Sequence, residues 1–280
     1  TQYPDTTPDR PYLTNSAVSR SEKFNDRSSF GTTLDYKLSA NDTLSFSYQY
    51  GSFGSEVGGN SLTFLVNRVA PGNFTPTSTR GEAGRGEISI ASSGRWRNGE
   101  THMPTLVFRH TGPIWRAESG VGYSYSTNYL RDTSRGFFGS VTARRTEVTV
   151  SFDDIFYLRP RVITVSDAAG APVDPYNLGT YALTAAGSPN PADSIDVKRS
   201  AYANLRRDFE VRGLPFSLKG GLDVRHAVRD MRGTTASFNY VGADGRGTTT
   251  PTDASGSDDG TASVIDEPFS QRVAPYGFPE

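Results

Sequence analysis

Residues 34–50 read LDYKLSANDTLSFSYQY, a run in which apolar and polar residues alternate. From 43 to 50 the alternation is complete. Leu44, Phe46, Tyr48 and Tyr50 fall on one side, and Thr43, Ser45, Ser47 and Gln49 on the other. A period of two over this length specifies a β-strand with one apolar face. Upstream, Phe30, Leu34, Tyr36 and Leu38 share a face opposite Gly31, Thr33, Asp35 and Lys37, with Thr32 the one polar intruder. Ser39-Ala40-Asn41-Asp42 supplies turn residues between the runs, so the stretch is expected to be a tight hairpin.

Two further hairpins follow the same grammar. In 109–126, RHTGPIWRAESGVGYSYS, the turn falls at Thr111-Gly112-Pro113. Trp115, Ala117, Val121, Tyr123 and Tyr125 then oppose Arg116, Glu118, Gly120, Gly122 and Ser124. In 203–230, ANLRRDFEVRGLPFSLKGGLDVRHAVRD, the apolar face carries Leu205, Phe209, Leu214, Phe216, Leu218, Leu222, Val224 and Val228. Arg199 and Arg207 interrupt that face. Shorter alternation at 146–152 (Val148, Val150, Phe152) predicts another strand, with 161–166 as its possible partner.

Between these hairpins the pattern fades. Residues 1–26 read as a polar lead-in, 27–231 as the sheet-forming domain, and 232–280 as an external loop. Gly-, Ser-, Asn- and Pro-rich stretches at 51–100 and 167–195 read as long loops inside the domain.

Composition narrows the classes. The 280 residues carry 29 Lys+Arg against 30 Asp+Glu, a net charge of −1, which argues against a nucleic-acid partner. With no cysteine, there is no disulfide framework and no thiolate chemistry. The 14 Tyr and 16 Phe argue against wholesale disorder. No run approaches the ~20 apolar residues that a spanning helix requires.

Short turns at one end of the hairpins and long connections at the other match a transmembrane β-barrel, with short periplasmic turns and long extracellular loops. A soluble β-sandwich usually has moderate connections at both ends. The aromatics add to this. Tyr36, Trp115, Phe209 and Phe216 lie near the turns, and Tyr48, Tyr50, Tyr123 and Tyr125 toward the loops, with aliphatic residues between. Two girdles flanking an aliphatic band suit a wall at its two interfaces. On this reading Leu44, Phe46, Tyr48, Trp115, Val121, Tyr123, Phe216, Leu218 and Leu222 face lipid. Asp35, Lys37, Arg116, Glu118, Lys219, Asp223 and Arg225 face the lumen. The expected fold is all-β: an antiparallel up-and-down transmembrane barrel segment of about 6–9 strands from a larger barrel.

The three quoted hairpins resemble those of TonB-dependent outer-membrane receptors. The resemblance implies a barrel of about 22 strands around a plug, of which these residues would be an internal part. It also implies an outer-membrane location and a large scarce solute as ligand, of the siderophore, cobalamin or oligosaccharide class. TonB would be a partner acting through the plug. No TonB-box-like segment, plug domain or terminal aromatic strand is legible here. A passive porin and a soluble β-sandwich binding module are the alternatives.

No catalytic function and no cofactor are expected. His102, His110 and His226 are not in a metal-ligand spacing. Asp253, Asp258 and Asp259 do not fit a calcium loop. Gly242–Gly247 lacks the helix a phosphate site would need. Asp153, Asp154 and Asp223 lack a paired carboxylate at catalytic spacing. Loop aromatics are the candidate ligand contacts, with Phe64, Phe74, Phe137, Tyr176 and Tyr240 foremost.

Overall fold

A computed structural model describes residues 11–188, 191–247 and 252–260. Twelve strands build one antiparallel sheet, with two 3-10 turns and no α-helix among the described residues. The strands are β1 (Asn15–Lys37), β2 (Asp42–Leu65), β3 (Phe74–Thr75), β4 (Ser78–Arg80), β5 (Gly86–Thr111) and β6 (Trp115–Arg131). They continue as β7 (Ser140–Phe156), β8 (Arg159–Asp167), β9 (Ala182–Ser188), β10 (Ala192–Val211), β11 (Leu214–Gly233) and β12 (Ala236–Phe238).

Six long strands form an up-and-down wall in the order β1-β2-β5-β6-β10-β11. The hairpins β1–β2, β5–β6 and β10–β11 are those the sequence predicts, closed by short turns at one end. Arg212 and Gly213 both have positive φ in the β10–β11 turn. That hairpin reaches past its neighbour: β10 runs to Val211, while its pairing with β6 ends at Arg207↔Trp115, and Asp208 N then donates to Ile114 O at 3.0 Å. Among the described residues, β1 pairs only with β2 and β11 only with β10, so each leaves one edge open.

Four segments expected to be irregular are strand in part. Strand β1 already begins at Asn15, inside the expected lead-in. Within 51–100, β2 runs on to Leu65 and β5 starts at Gly86, so only the middle of that stretch is a connection. Within 167–195, β9 and the start of β10 are strand. Within 232–280, β12 pairs with β9, while 248–251 and 261–280 lie outside the described residues. The common cause is that ladder hydrogen bonds come from the backbone, so a long strand survives where Gly and Ser erase the side-chain period. Gly59 shows why glycine is there: a Cβ would meet Arg20 O at 2.6 Å across the ladder.

At the end away from the short turns, β5 exchanges partners. It pairs with β6 from Trp96 to Thr111, and with β7 from Gly86 to Ser93. Strands β7, β8, β9, β4, β3 and β12 gather there into a packed head. Its core holds Leu62, Phe64 and Val66 from β2 and its exit, Ile88 from β5, and Val148, Val150 and Phe152 from β7. Val69, Phe74, Ala143, Ile155, Val165 and Tyr181 also belong to it. The predicted alternation of Val148, Val150 and Phe152 is therefore the buried face of β7, and β8 is its partner. Burial of each such side chain contributes about 1.5–3 kcal/mol.

Candidate functional site

The pairing register turns the sequence pattern into a surface. Residues directly opposite in an antiparallel ladder share a face. One row across the wall runs Leu34, Phe46, Leu106, Val121, Ala201, Val224. The row nearer the short turns runs Tyr36, Leu44, Phe108, Ser119, Ala203, Leu222. On this same face lie Tyr48, Tyr123, Trp115, Leu218 and Phe216, so the nine residues expected to meet lipid share one side. Tyr48 and Tyr123 fall in one row and Tyr50 and Tyr125 in the next, which aligns the upper aromatic set across three strands. Phe209 and Phe216 stack at 6.1 Å beside the β10–β11 turn.

This face is bare. Leu34 is 65% exposed, Leu222 69% and Leu218 71%, whereas Val148, Val150 and Phe152 in the head are at 0%. One sheet thus presents two regimes: a head with its own buried core, and a wall whose apolar face is covered by no second layer of the described residues.

The seven residues expected to line a lumen all lie on the other face. Asp35, Arg116, Glu118, Asp223 and Arg225 sit in a lattice of opposite charges and hydroxyls, whereas Lys37 and Lys219 have no hydrogen-bond or ion-pair partner among the described residues. Arg109 Nε donates to Glu118 Oε2 at 2.9 Å, and the Tyr202 hydroxyl donates to Glu118 Oε1 at 2.8 Å. Arg225 holds Asp223 through two nitrogens, each at 2.9 Å, and Arg229 holds Asp196. Asp208 lies 2.7 Å from Arg206 and 3.7 Å from Arg116. The Ser45 hydroxyl donates to Asp35. Pairing of this kind avoids an isolated charge on a partly dry surface.

The candidate ligand aromatics do not behave as a set. Phe64 and Phe74 are core residues of the head, 3% and 9% exposed, and Phe74 stacks on Tyr12 at 4.1 Å. Their expected role as loop contacts is corrected to packing. The reason is that Phe64 belongs to the buried face of β2, and the apolar run around it reads the same in a loop or in a core. Phe137 is half-buried near Gly94, Tyr240 is half-buried, and Tyr176 is exposed.

The remaining polar candidates have structural partners except His226, which has none among the described residues. Asp42 meets His110 Nδ1 at 2.7 Å, and the Tyr48 hydroxyl meets His102 Nδ1 at 2.7 Å. Arg80 holds Asp153, and Arg161 lies 3.5 Å from Asp154. Asp258 accepts from Asp244 N at 3.0 Å and Asp259 from Gly242 N at 3.0 Å, so these acids fasten 242–247 as a turn. The Ser255 hydroxyl and backbone N–H donate to Asp253 and hold its carboxyl below the usual range, and Arg145 at 3.3 Å adds to this. Burial pushes the Tyr181 phenol up, and its hydroxyl donates to Pro175 O at 2.6 Å. Among the described residues no three metal-ligating side chains cluster.

One exposed feature gives no signal in the sequence. The β7–β8 turn places Tyr157 (φ 46) and Leu158 (φ 62) in left-handed backbone, 86% and 78% exposed. Both central residues of a type I′ turn need positive φ, and Asn-Gly is the usual signal. Its absence hid the turn.

No protein-family model matches the chain, and no curated protein matches it.

Proposed function

We propose that this chain is wall and external structure of a TonB-dependent outer-membrane receptor, which binds and imports a large scarce solute of the siderophore, cobalamin or oligosaccharide class. The observation that carries the reading is the wall: an exposed apolar face set against an ion-paired polar face, on strands far longer than a bilayer needs. A spanning strand takes ~9–11 residues, while β2 has 24 and β5 has 26. The turn-proximal part of each strand then crosses the membrane. The rest projects outward and carries the head, whose core is built for water on its outside. The apolar face meets lipid, and the polar face meets a plug or wet lumen. The open edges of β1 and β11 pair with further barrel strands, because an unpaired edge cannot sit in hydrocarbon. TonB acts through a plug contributed outside these residues.

The test is fractionation of cells producing the native polypeptide, followed by in vivo crosslinking to TonB. Retention in outer membranes through an alkaline wash, with a TonB crosslink, is expected. Membrane retention with no crosslink, and steady ion conductance in planar bilayers, would identify a passive porin. Recovery as a water-soluble monomer would overturn the membrane reading and leave the soluble binding module.

A further inference from the structure

We infer that the lipid-facing side of this wall carries a specific site for one phosphate-bearing membrane lipid, its acyl chain in a groove between β5 and β11 and its phosphate on Arg199. The inference rests on the membrane reading above.

The groove exists because the side chains across this face vary in size. Ser119, Ala201 and Ala203 form a low floor on β6 and β10, while Leu44 and Leu106 rise on one side and Leu222 and Val224 on the other. The hollow is about 310 Å³ and open to the surroundings of the face. An acyl chain laid there gains contact on three sides, where a flat wall offers one.

A cation stands beyond one end of the hollow, outside its lining. Arg199 is two residues beyond Ala201 on β10, hence on the same face and roughly 7 Å further along the strand. Its cross-strand neighbours are Tyr123 and His226. From Val211 to Arg199 the strand covers roughly 40 Å, which a tilt of ~40° projects to ~30 Å, the thickness of the hydrocarbon core. Arg199 therefore comes level with lipid headgroups when the β10–β11 turn sits at the opposite interface.

Arg199 also differs from the other arginines of this face. Arg20 pairs with Glu22, Arg131 with Asp193 at 2.5 Å and Arg232 with Asp230 at 3.0 Å. Arg207 lies over the Trp115 ring at 5.1 Å. Arg199 has no ion-pair, hydrogen-bond or ring partner among the described residues. A guanidinium presents a planar fork that matches phosphate oxygens in a bidentate manner. An unpaired one beyond the end of an acyl-sized hollow completes a site for an amphiphile with an anionic head.

The experiment uses the native polypeptide in mixed micelles of phosphatidylglycerol and diacylglycerol with identical chains, read by native mass spectrometry of retained lipid. Wild type is expected to keep phosphatidylglycerol in preference, and excess inorganic phosphate is expected not to displace it. Arg199→Gln is expected to lower that retention about tenfold, Ala203→Leu to lower retention of both lipids, and Arg225→Gln on the opposite face to change nothing. Equal retention by wild type and Arg199→Gln, or displacement by inorganic phosphate alone, overturns the site. A Trp96→Phe variant separates this from the underlying reading, because Trp115 is then the single tryptophan. Quenching of Trp115 by brominated acyl chains without Arg199-dependent retention overturns the lipid site only. No quenching overturns the membrane reading and the site with it.

Discussion

Leu218 and Lys219 are adjacent in sequence and opposite in surroundings. Leu218 stands on the apolar face opposite Arg207, and Lys219 on the polar face opposite Arg206. In the native polypeptide, Leu218→Arg is expected to cost about 2–4 kcal/mol if it meets the bilayer interior. Lys219→Ala is expected to cost much less. Denaturant titration in micelles measures both, and equal tolerance would contradict the assigned faces. In the head the same logic is set by packing. Phe152 is fully buried in the head's core, so Phe152→Ala is expected to cost about 3–5 kcal/mol. The pair Leu218 and Lys219 was legible from period two alone. Phe64 was not, because an apolar residue among Leu62 and Val66 carries no sign of whether ligand or protein covers it.

Elements explain where the reading stopped. The hairpins β1–β2, β5–β6 and β10–β11 were visible because each alternates up to a turn with Ser, Asn, Gly or Pro. The outer halves of β1, β2 and β5 were invisible. Their partners satisfy the backbone while Gly and Ser in β2 and β5, and charged residues in β1, fill the side-chain positions. The β7–β8 turn was invisible for the opposite reason, since Tyr157-Leu158 lacks the residues that its geometry prefers. Replacing that pair with Asn-Gly is expected to stabilise the head by about 1–2 kcal/mol, as an upward shift of its unfolding midpoint. The segment 252–260 is tied down in part by Asp253. Its carboxyl is held below the usual value, so the tie is complete above the unfolded pKa of ~3.9 and weakens as pH falls through the lower folded value. Protection from hydrogen exchange at Ser255 and Gly260, taken relative to an unstructured amide at the same pH, is expected to fall only below about pH 4, and unchanged protection at pH 3 would discount the tie.

At the scale of the molecule, solvent divides the sheet. The head excludes water from its own core, and the wall offers its apolar residues outward. A chain with this wall and two open strand edges is expected to aggregate when residues 1–280 are made alone without detergent. Sedimentation distinguishes that outcome from the monomer a soluble module would give. The division was half legible. Alternation revealed that a face was apolar, while the existence of a separate packed head required knowing that β5 exchanges β6 for β7.

That exchange has a mechanical consequence. Strands β2 and β5 remain hydrogen-bonded to each other from Asp42↔His110 to Leu65↔Glu87, through the wall and into the head without interruption. The head is therefore not a bead on a tether but the top of a mast. A pull or a tilt applied to it loads a continuous ladder in shear, with many bonds sharing the force together. Rocking of the head against the wall has no hinge to use along β2 and β5, because the ladder that joins the two parts also builds them.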